Sequence, residues 1–220
     1  MDNKAIISQN LQKIKSKLNK ETLIAVSKNT TAENILLAFN AGQVDFGENR
    51  VNDLIQKAHK LSDLPIRWHF IGTLQRNKVK KLLQLKNLYF IHSVDSMELL
   101  EELLKNQSLL SSPVGLFLQC NTSGEAQKHG FDNIEELKSA ALKIKNETGP
   151  NLYLKGLMTI GKIRSEDFLK DALISFRALK DLREQLDLDL SLSMGMSQDY
   201  ELAIKEGTDF LRVGSAIFNF

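Results

Sequence analysis

The sequence is short of several things, and each shortage narrows what the chain can be. It holds one cysteine, Cys120, in 220 residues. A lone cysteine excludes an internal disulfide and a cysteine-rich zinc site, and it fits a reducing cytoplasm. Cys120 reads as the buried end of a strand, without a redox role. The three prolines, Pro65, Pro113 and Pro150, stand alone, and no proline- or serine-rich linker divides the chain. An excess of one charge is also missing: 29 Lys and Arg against 27 Asp and Glu leave +2. That is far from the basic surplus of an electrostatic nucleic-acid binder. No apolar run approaches the roughly 18 residues of a membrane span. The polar, mixed-charge start from Met1 to Asn10 carries no basic-then-apolar leader. What is plentiful is ordinary: 42% hydrophobic and 25% charged residues, the composition of a globule with a core. The expectation is a cytoplasmic monomer, one domain over residues 1–220, with neither nucleic acid nor membrane as partner.

Apolar positions Ile6, Ile7, Leu11, Ile14 and Leu18 predict an N-terminal helix over 2–19. Short runs of strand formers follow at 23–26, 44–46, 67–71, 88–91, 114–120, 152–158, 188–192 and 210–213. Helical stretches separate them, at 48–61, 75–85, 96–106, 132–147, 166–186 and 198–206, with a further helix beginning at Thr30. Thr30 with Glu33, Asp95 with Glu98 and Asp132 with Glu135 read as capping boxes, and Gly42 as a stop. No sequence-level repeat is present; only the element type recurs. Strands alternating with helices imply a parallel sheet with helical crossovers, either a closed barrel or an open doubly wound sheet. The count of eight favours the barrel. The turn after the first strand, Ser27-Lys28-Asn29-Thr30, also lacks the Gly-x-Gly-x-x-Gly of a dinucleotide sheet. The fold class expected is therefore α/β, a single (β/α)8 TIM barrel with an extra N-terminal helix.

The functional face of such a barrel is the C-terminal end of its strands. Small and polar residues collect there: Ser27-Lys28, Gly47-Glu48-Asn49-Arg50, His92-Ser93, Asn121-Thr122-Ser123-Gly124, Thr159, Ser193 to Ser197, and Arg212 to Ser215. Lys28 is a solvated lysine in its plainest reading. Its functional reading is an amine that condenses with an aldehyde. Loops after the seventh and eighth strands of barrels tend to build phosphate sites. Gly214 lets backbone amides approach an anion, Ser215 adds a hydroxyl, and Ser197 sits near the start of a helix expected at Gln198. The plainer readings are a tight turn for Gly214 and a helix N-cap for Ser197. Barrel closure sets the eighth strand beside the first, so Lys28, Arg212 and the Gly214-Ser215 turn converge. A lysine, a phosphate cradle and a fixed cation suggest pyridoxal 5′-phosphate, with Arg212 near the pyridine nitrogen.

Longer stretches carry a resemblance. They are residues 24–28 (Ile-Ala-Val-Ser-Lys), 46–50 (Phe-Gly-Glu-Asn-Arg), 68–78 (from Trp68 to Lys78), 121–130 (from Asn121 to Gly130), 156–160 (Gly-Leu-Met-Thr-Ile), 192–199 (from Leu192 to Asp199) and 212–218 (from Arg212 to Phe218). In this order they resemble the pyridoxal phosphate homeostasis protein family, itself related to the N-terminal barrel domain of alanine racemase. The resemblance implies that Lys28 forms an internal aldimine and that Ser197, Gly214 and Ser215 hold the phosphate. It also implies that Arg212 faces the ring nitrogen and that Asn49 contacts the ring. His69 and Met158 look like pocket walls, with plain packing as their alternative. Gly124, Lys128 and Gly130 resemble a family loop to which no role is assigned, and no metal site is implied. Two departures stand out. Ser215 replaces the family's usual threonine, at little cost because both offer a hydroxyl. The chain ends at Asn219-Phe220 where the family usually continues with glycine, which clips the last turn and loosens the edge of the phosphate site.

The implied role is a binder that contributes to vitamin B6 homeostasis without robust catalysis, with apo-enzymes as candidate recipients of the cofactor. A guanidinium only donates, so Arg212 leaves the ring nitrogen unprotonated and weakens the ring as an electron sink. A racemase also needs a second base, which in alanine racemase comes from a further domain; none is expected in this chain. The alternatives are an amino-acid racemase or other weak Schiff-base enzyme, and a phosphosugar barrel enzyme using Lys28.

Overall fold

Alternation of side chains across a strand gives each strand two faces, and here both are buried. The computed structural model describes residues 2–123, 129–147, 149–161 and 166–219. The chain opens with α1 (Asn3–Lys15) and then alternates: β1 (Thr22–Val26), α2 (Ala32–Asn40), β2 (Asp45–Glu48), α3 (Val51–Lys60) and β3 (Arg67–Phe70). A 3-10 turn (Arg76–Lys78) leads into α4 (Val79–Leu83), β4 (Leu88–Val94), α5 (Met97–Lys105), a second 3-10 turn (Gln107–Leu109) and β5 (Val114–Gln119). The remainder is α6 (Ile134–Glu147), β6 (Leu152–Met158), α7 (Phe168–Leu186), β7 (Ser191–Ser193), α8 (Tyr200–Lys205), β8 (Phe210–Val213) and α9 (Ser215–Phe218). The strands form one closed parallel barrel in sequence order, with β8 pairing back onto β1 in the register Ile24 to Arg212 and Ala25 to Val213. This is the expected (β/α)8 barrel with its extra N-terminal helix.

That helix is shorter than the expected 2–19. Asp2 caps it by accepting the Lys4 amide, and Ile7, Leu11 and Ile14 are buried against α2 and α9. It ends at Lys15 because the next amides bond three residues back, Lys17 to Ile14 and Leu18 to Lys15. The Glu21 carboxylate then draws the Asn19 and Lys20 amides away. At the three expected capping boxes the N-cap lies one residue further on than expected. Thr31 accepts the Asn34 amide, Ser96 the Leu99 amide and Asn133 the Glu136 amide. Gly42 follows α2 at φ +82°, a conformation glycine enters at no steric cost, and acts as the stop.

Outward strand residues such as Leu23, Phe46, Trp68, Phe70, Ile91, Leu116, Leu157, Leu192 and Leu211 pack under the helices. Inward ones form a smaller cluster of Ile24, Phe90, Phe117, Met158 and Phe210. Gly115 makes that cluster possible: a Cβ there would meet the Phe90 ring at 2.5 Å. Cys120, just past β5, is buried at 2% exposure, and burial pushes its thiol up to about 12. Among the described residues no helix is long and apolar enough to cross a membrane.

Candidate functional site

The rim residues expected to hold the cofactor, Lys28, Asn49, Ser197, Arg212, Gly214 and Ser215, come from four adjacent strand ends, those of β7, β8, β1 and β2. Lys28 follows β1 in a turn closed by the Thr30 amide donating to Ser27 O at 3.1 Å. Asn29, next in that turn, takes φ +63°, a left-handed conformation that asparagine tolerates better than most residues. The turn leaves Lys28 exposed, and its amine has no hydrogen-bond or ion-pair partner among the described residues. Asn49, half-buried, stands at the same level past β2, because Val26 pairs with Gly47 in register.

The strand end beneath Lys28 is clamped. The Ser27 hydroxyl donates to Glu48 Oε1 at 3.0 Å, and Lys57, reaching over from α3, pairs with the same oxygen. Lys57 Nζ also donates to Ser27 O at 2.8 Å. Glu48 is fully buried, and its second oxygen has no partner. Sequence reading placed Glu48 at the rim without a role and passed over Lys57, which lies in the last turn of α3 and announces nothing on its own.

Ser197 does not cap the next helix. α8 starts at Tyr200 behind Asp199, so the helix expected at Gln198 begins two residues later. The Ser197 oxygen instead accepts the amides of Gly214 and Ala216, at 3.2 and 3.3 Å. Two backbone N–H groups thus already converge on one oxygen, as a cradle for an anion requires. Ser215 is exposed beside them. The cradle is braced from below: Gly195 at φ +91° turns the β7 loop, and its carbonyl accepts the Arg212 amide at 3.0 Å. The last turn is tied to α1 by Asn10 Nδ2 donating to Ile217 O at 3.1 Å. Gly124, Lys128 and Phe220 lie outside the described residues.

Arg212 lies deeper, level with Ile24 and 4% exposed. Its Nη1 donates to Ser193 Oγ at 2.6 Å and its Nη2 to Thr159 O at 2.7 Å. Burial lowers its pKa to about 10, against the opposing pull of Asp199, so it remains a cation at neutral pH. Two contacts fix the plane of a group with five N–H donors and leave a donor on each η nitrogen for a ligand above. His69 and Met158 are fully buried inside the barrel, with Met158 in the interior cluster. Ser193 and Thr159 were visible in sequence as strand-end residues, but nothing local marked them as partners of Arg212, nor His92 as the partner of Ser193. Among the described residues no group of three His, Cys, Asp or Glu is placed to hold a metal ion.

The same barrel defines a known class. The family model described as alanine racemase, N-terminal domain, matches residues 3–220. Alanine racemase from E. faecalis superposes with a TM-score of 0.77 at 19% identity over 100% of this chain and 59% of that one, a likeness of fold alone. Within that class the nearer relatives are smaller proteins. The pyridoxal phosphate homeostasis protein of Schizosaccharomyces pombe is 43% identical over 202 residues, 89% of this chain and 82% of its own. The human protein of that name is 40% identical over 209 residues, covering 89% and 75%. PipY of Synechococcus elongatus, solved with PLP bound, matches with a TM-score of 0.86 and 34% identity over 97% of this chain and 100% of its own. The chain belongs to the pyridoxal phosphate homeostasis protein family.

Proposed function

We propose that this protein binds pyridoxal 5′-phosphate on Lys28 and holds it without substantial catalysis. The observation that carries the reading is the meeting, at adjacent strand ends, of an unpartnered lysine amine, a two-amide cradle and a buried, fixed guanidinium. These residues fit the group in size and sign: N–H donors for a phosphate, a cation-held donor for a ring nitrogen, an amine for an aldehyde. When bound, the cofactor supplies an electrophilic aldehyde and, with a protonated ring, an electron sink. The Gly214 and Ala216 amides, turned from the Ser197 oxygen to a phosphate oxygen, hold the phosphate with the Ser197 and Ser215 hydroxyls, and Asn49 contacts the ring. Arg212, donor only, keeps the ring nitrogen unprotonated and so suppresses the sink. The placement of the tyrosines supports a holder over a racemase. Tyr89 and Tyr153 stand near the N-terminal ends of β4 and β6, opposite the rim, and Tyr200 packs in α8 with its hydroxyl bonded to Lys17. A cytoplasmic monomer that passes the cofactor to apo-enzymes completes the reading; the balanced charge and single buried cysteine accord with it.

Absorbance after adding pyridoxal 5′-phosphate tests this. A new near-ultraviolet or visible band is expected, with borohydride trapping the cofactor on the chain and Lys28→Ala abolishing the trapped product. A protein that stays colourless overturns the reading. Exchange of amino-acid α-protons in heavy water at about 1 s⁻¹ or faster, the ordinary enzyme range, would replace the holder by a racemase or related enzyme.

A further inference from the structure

Arg212 is a buried cation, and among the described residues no carboxylate lies within ion-pair distance of it. Asp199, itself 2% exposed, offsets part of the cost of burying that charge from beyond ion-pair distance, and the guanidinium's own hydrogen bonds must hold its orientation. A continuous line of side chains leads from it through the middle of the barrel. Ser193 Oγ, which accepts from Arg212, lies 3.0 Å from His92 Nδ1. His92 Nε2 lies 3.0 Å from His69 Nδ1, and His69 Nε2 lies 3.0 Å from Asp45 Oδ1. Asp45 Oδ2, at the other end, pairs with Arg67. All four intermediates are buried inward-facing residues: Ser193, His92 and His69 at 0% exposure and Asp45 at 5%. His92 is held in place by stacking on Phe117, with ring centroids 4.2 Å apart and planes 8° from parallel.

Hydrogen-bond chemistry fixes the direction of every link. The Asp45 carboxylate only accepts, so His69 must present Nε2–H to it. Burial pushes the Asp45 carboxyl up, but the hydrogen bonds from His69 and Arg67 outweigh that and hold it below its ordinary value, ionised. Burial keeps both imidazoles neutral, and for His92 the neighbouring His69 and Arg212 add to the effect. A neutral imidazole has one N–H, so His69 Nδ1 is an acceptor and His92 Nε2 a donor. His92 Nδ1 is then an acceptor, and the Ser193 hydroxyl must donate to it. That leaves the Ser193 lone pairs to receive the guanidinium, which can do nothing but donate. Reversing the two imidazoles would set a lone pair of His69 against the Asp45 carboxylate. All the dipoles therefore point the same way, from Arg212 to Asp45, and such aligned chains polarise one another.

We propose that Ser193, His92, His69 and Asp45 form a one-way hydrogen-bond relay that fixes the Arg212 guanidinium in the plane that meets the ligand's ring nitrogen. His92 and Asp45 are positioning residues for that contact. The inference rests on the pyridoxal phosphate reading but is tested apart from it.

Nitrogen-15 NMR of the imidazoles in the full chain, without ligand, reads the relay directly. Both histidines are expected as neutral Nε2–H tautomers at pH 7, and Asp45→Asn is expected to shift the nitrogen resonances of His92 as well as of His69. Titration with pyridoxal 5′-phosphate reads its purpose. His92→Phe is expected to lose about tenfold in affinity, the scale of a hydrogen bond to a charged group, with a displaced absorption band. His92→Gln, which keeps one donor and one acceptor, is expected to recover most of both. An Nδ1–H tautomer on either ring overturns the relay. So does a His92→Phe protein that binds with unchanged affinity and spectrum, and that result leaves the proposed function standing. Should His92→Phe fail to fold, the wild-type tautomers and the Asp45→Asn titration decide. A wild-type chain that takes up no cofactor overturns the functional reading, and with it this role for the relay, even where the tautomers are as expected.

Discussion

The barrel wall separates two interiors of different kind. Outside it, between strands and helices, packing is almost wholly apolar: Trp68, Phe46, Phe70, Phe176 and a continuous set of leucines and isoleucines. Inside it, five apolar side chains surround a line of polar ones that carries charge at both ends. One set of strands builds both, because neighbouring residues point to opposite faces. The outer layer supplies bulk burial and tolerates any well-fitting hydrophobe. The inner layer has few members, and each polar one needs its particular neighbour. Stability is thus expected to be concentrated outside the wall, and positioning of the site inside it.

The largest effect tests the outer layer. Phe176→Ala, on the inner face of α7, is expected to cost about 3–5 kcal/mol in urea unfolding, with the rim's ligand affinity little changed in the folded fraction. An equal loss of affinity would break the division between the two interiors. Next comes pH. His69 and His92 are held neutral by burial, so their folded pKa values lie below the unfolded value near 6.5. Folding then binds fewer protons than unfolding. Stability should be fully present above that pH and fall below it, by up to about 1.4 kcal/mol per pH unit for each histidine. A His69→Gln/His92→Gln protein should show a flatter melting temperature between pH 6.5 and 5; an unchanged slope would place the acid sensitivity elsewhere. Third, Asp45→Ala strands the His69 N–H in the barrel and is expected to cost about 1–3 kcal/mol. Calorimetry at pH 7 checks it, and a neutral result would show that the inner polar line contributes nothing to folding. Smallest is Met158→Leu inside the barrel, a volume-conserving change expected to cost under about 1.5 kcal/mol. A larger loss would mean that the inner apolar cluster is as exacting as the polar line beside it.

Much of the fold was legible because each parallel strand is a short apolar run between helical periodicities. Boundaries were less so. The run at 188–192 reads as strand from its alternating leucines, yet β7 begins only at Ser191. Asp187 ends α7 in a left-handed conformation, and Leu188 is still in the turn and 44% exposed. Each shifted cap lies beside a second residue able to cap: Thr31 beside Thr30, Ser96 beside Asp95, Asn133 beside Asp132. Burial of the helix face, as with Ile35 in α2 and Leu99 in α5, chooses between them. The rim position of Lys28 and of the residues from Arg212 to Ser215 was legible because such a residue is recognisable by its place at or after the end of a strand.

The sequence by itself determined the eight strands and their order, the helices between them, the exclusion of disulfides and the residue types on the rim; the short α9 after β8 was not read from it. Those features are encoded within a few residues of one another. The tertiary structure alone decided what joins across the barrel. The links of the polar line span 19, 101, 23 and 24 residues, and the cradle joins Ser197 to amides 17 and 19 residues away. Periodicity carries no information at those separations. Closing eight twisted strands into a cylinder turns equal heights on different strands into contact distances, and so sets His92 between Ser193 and His69.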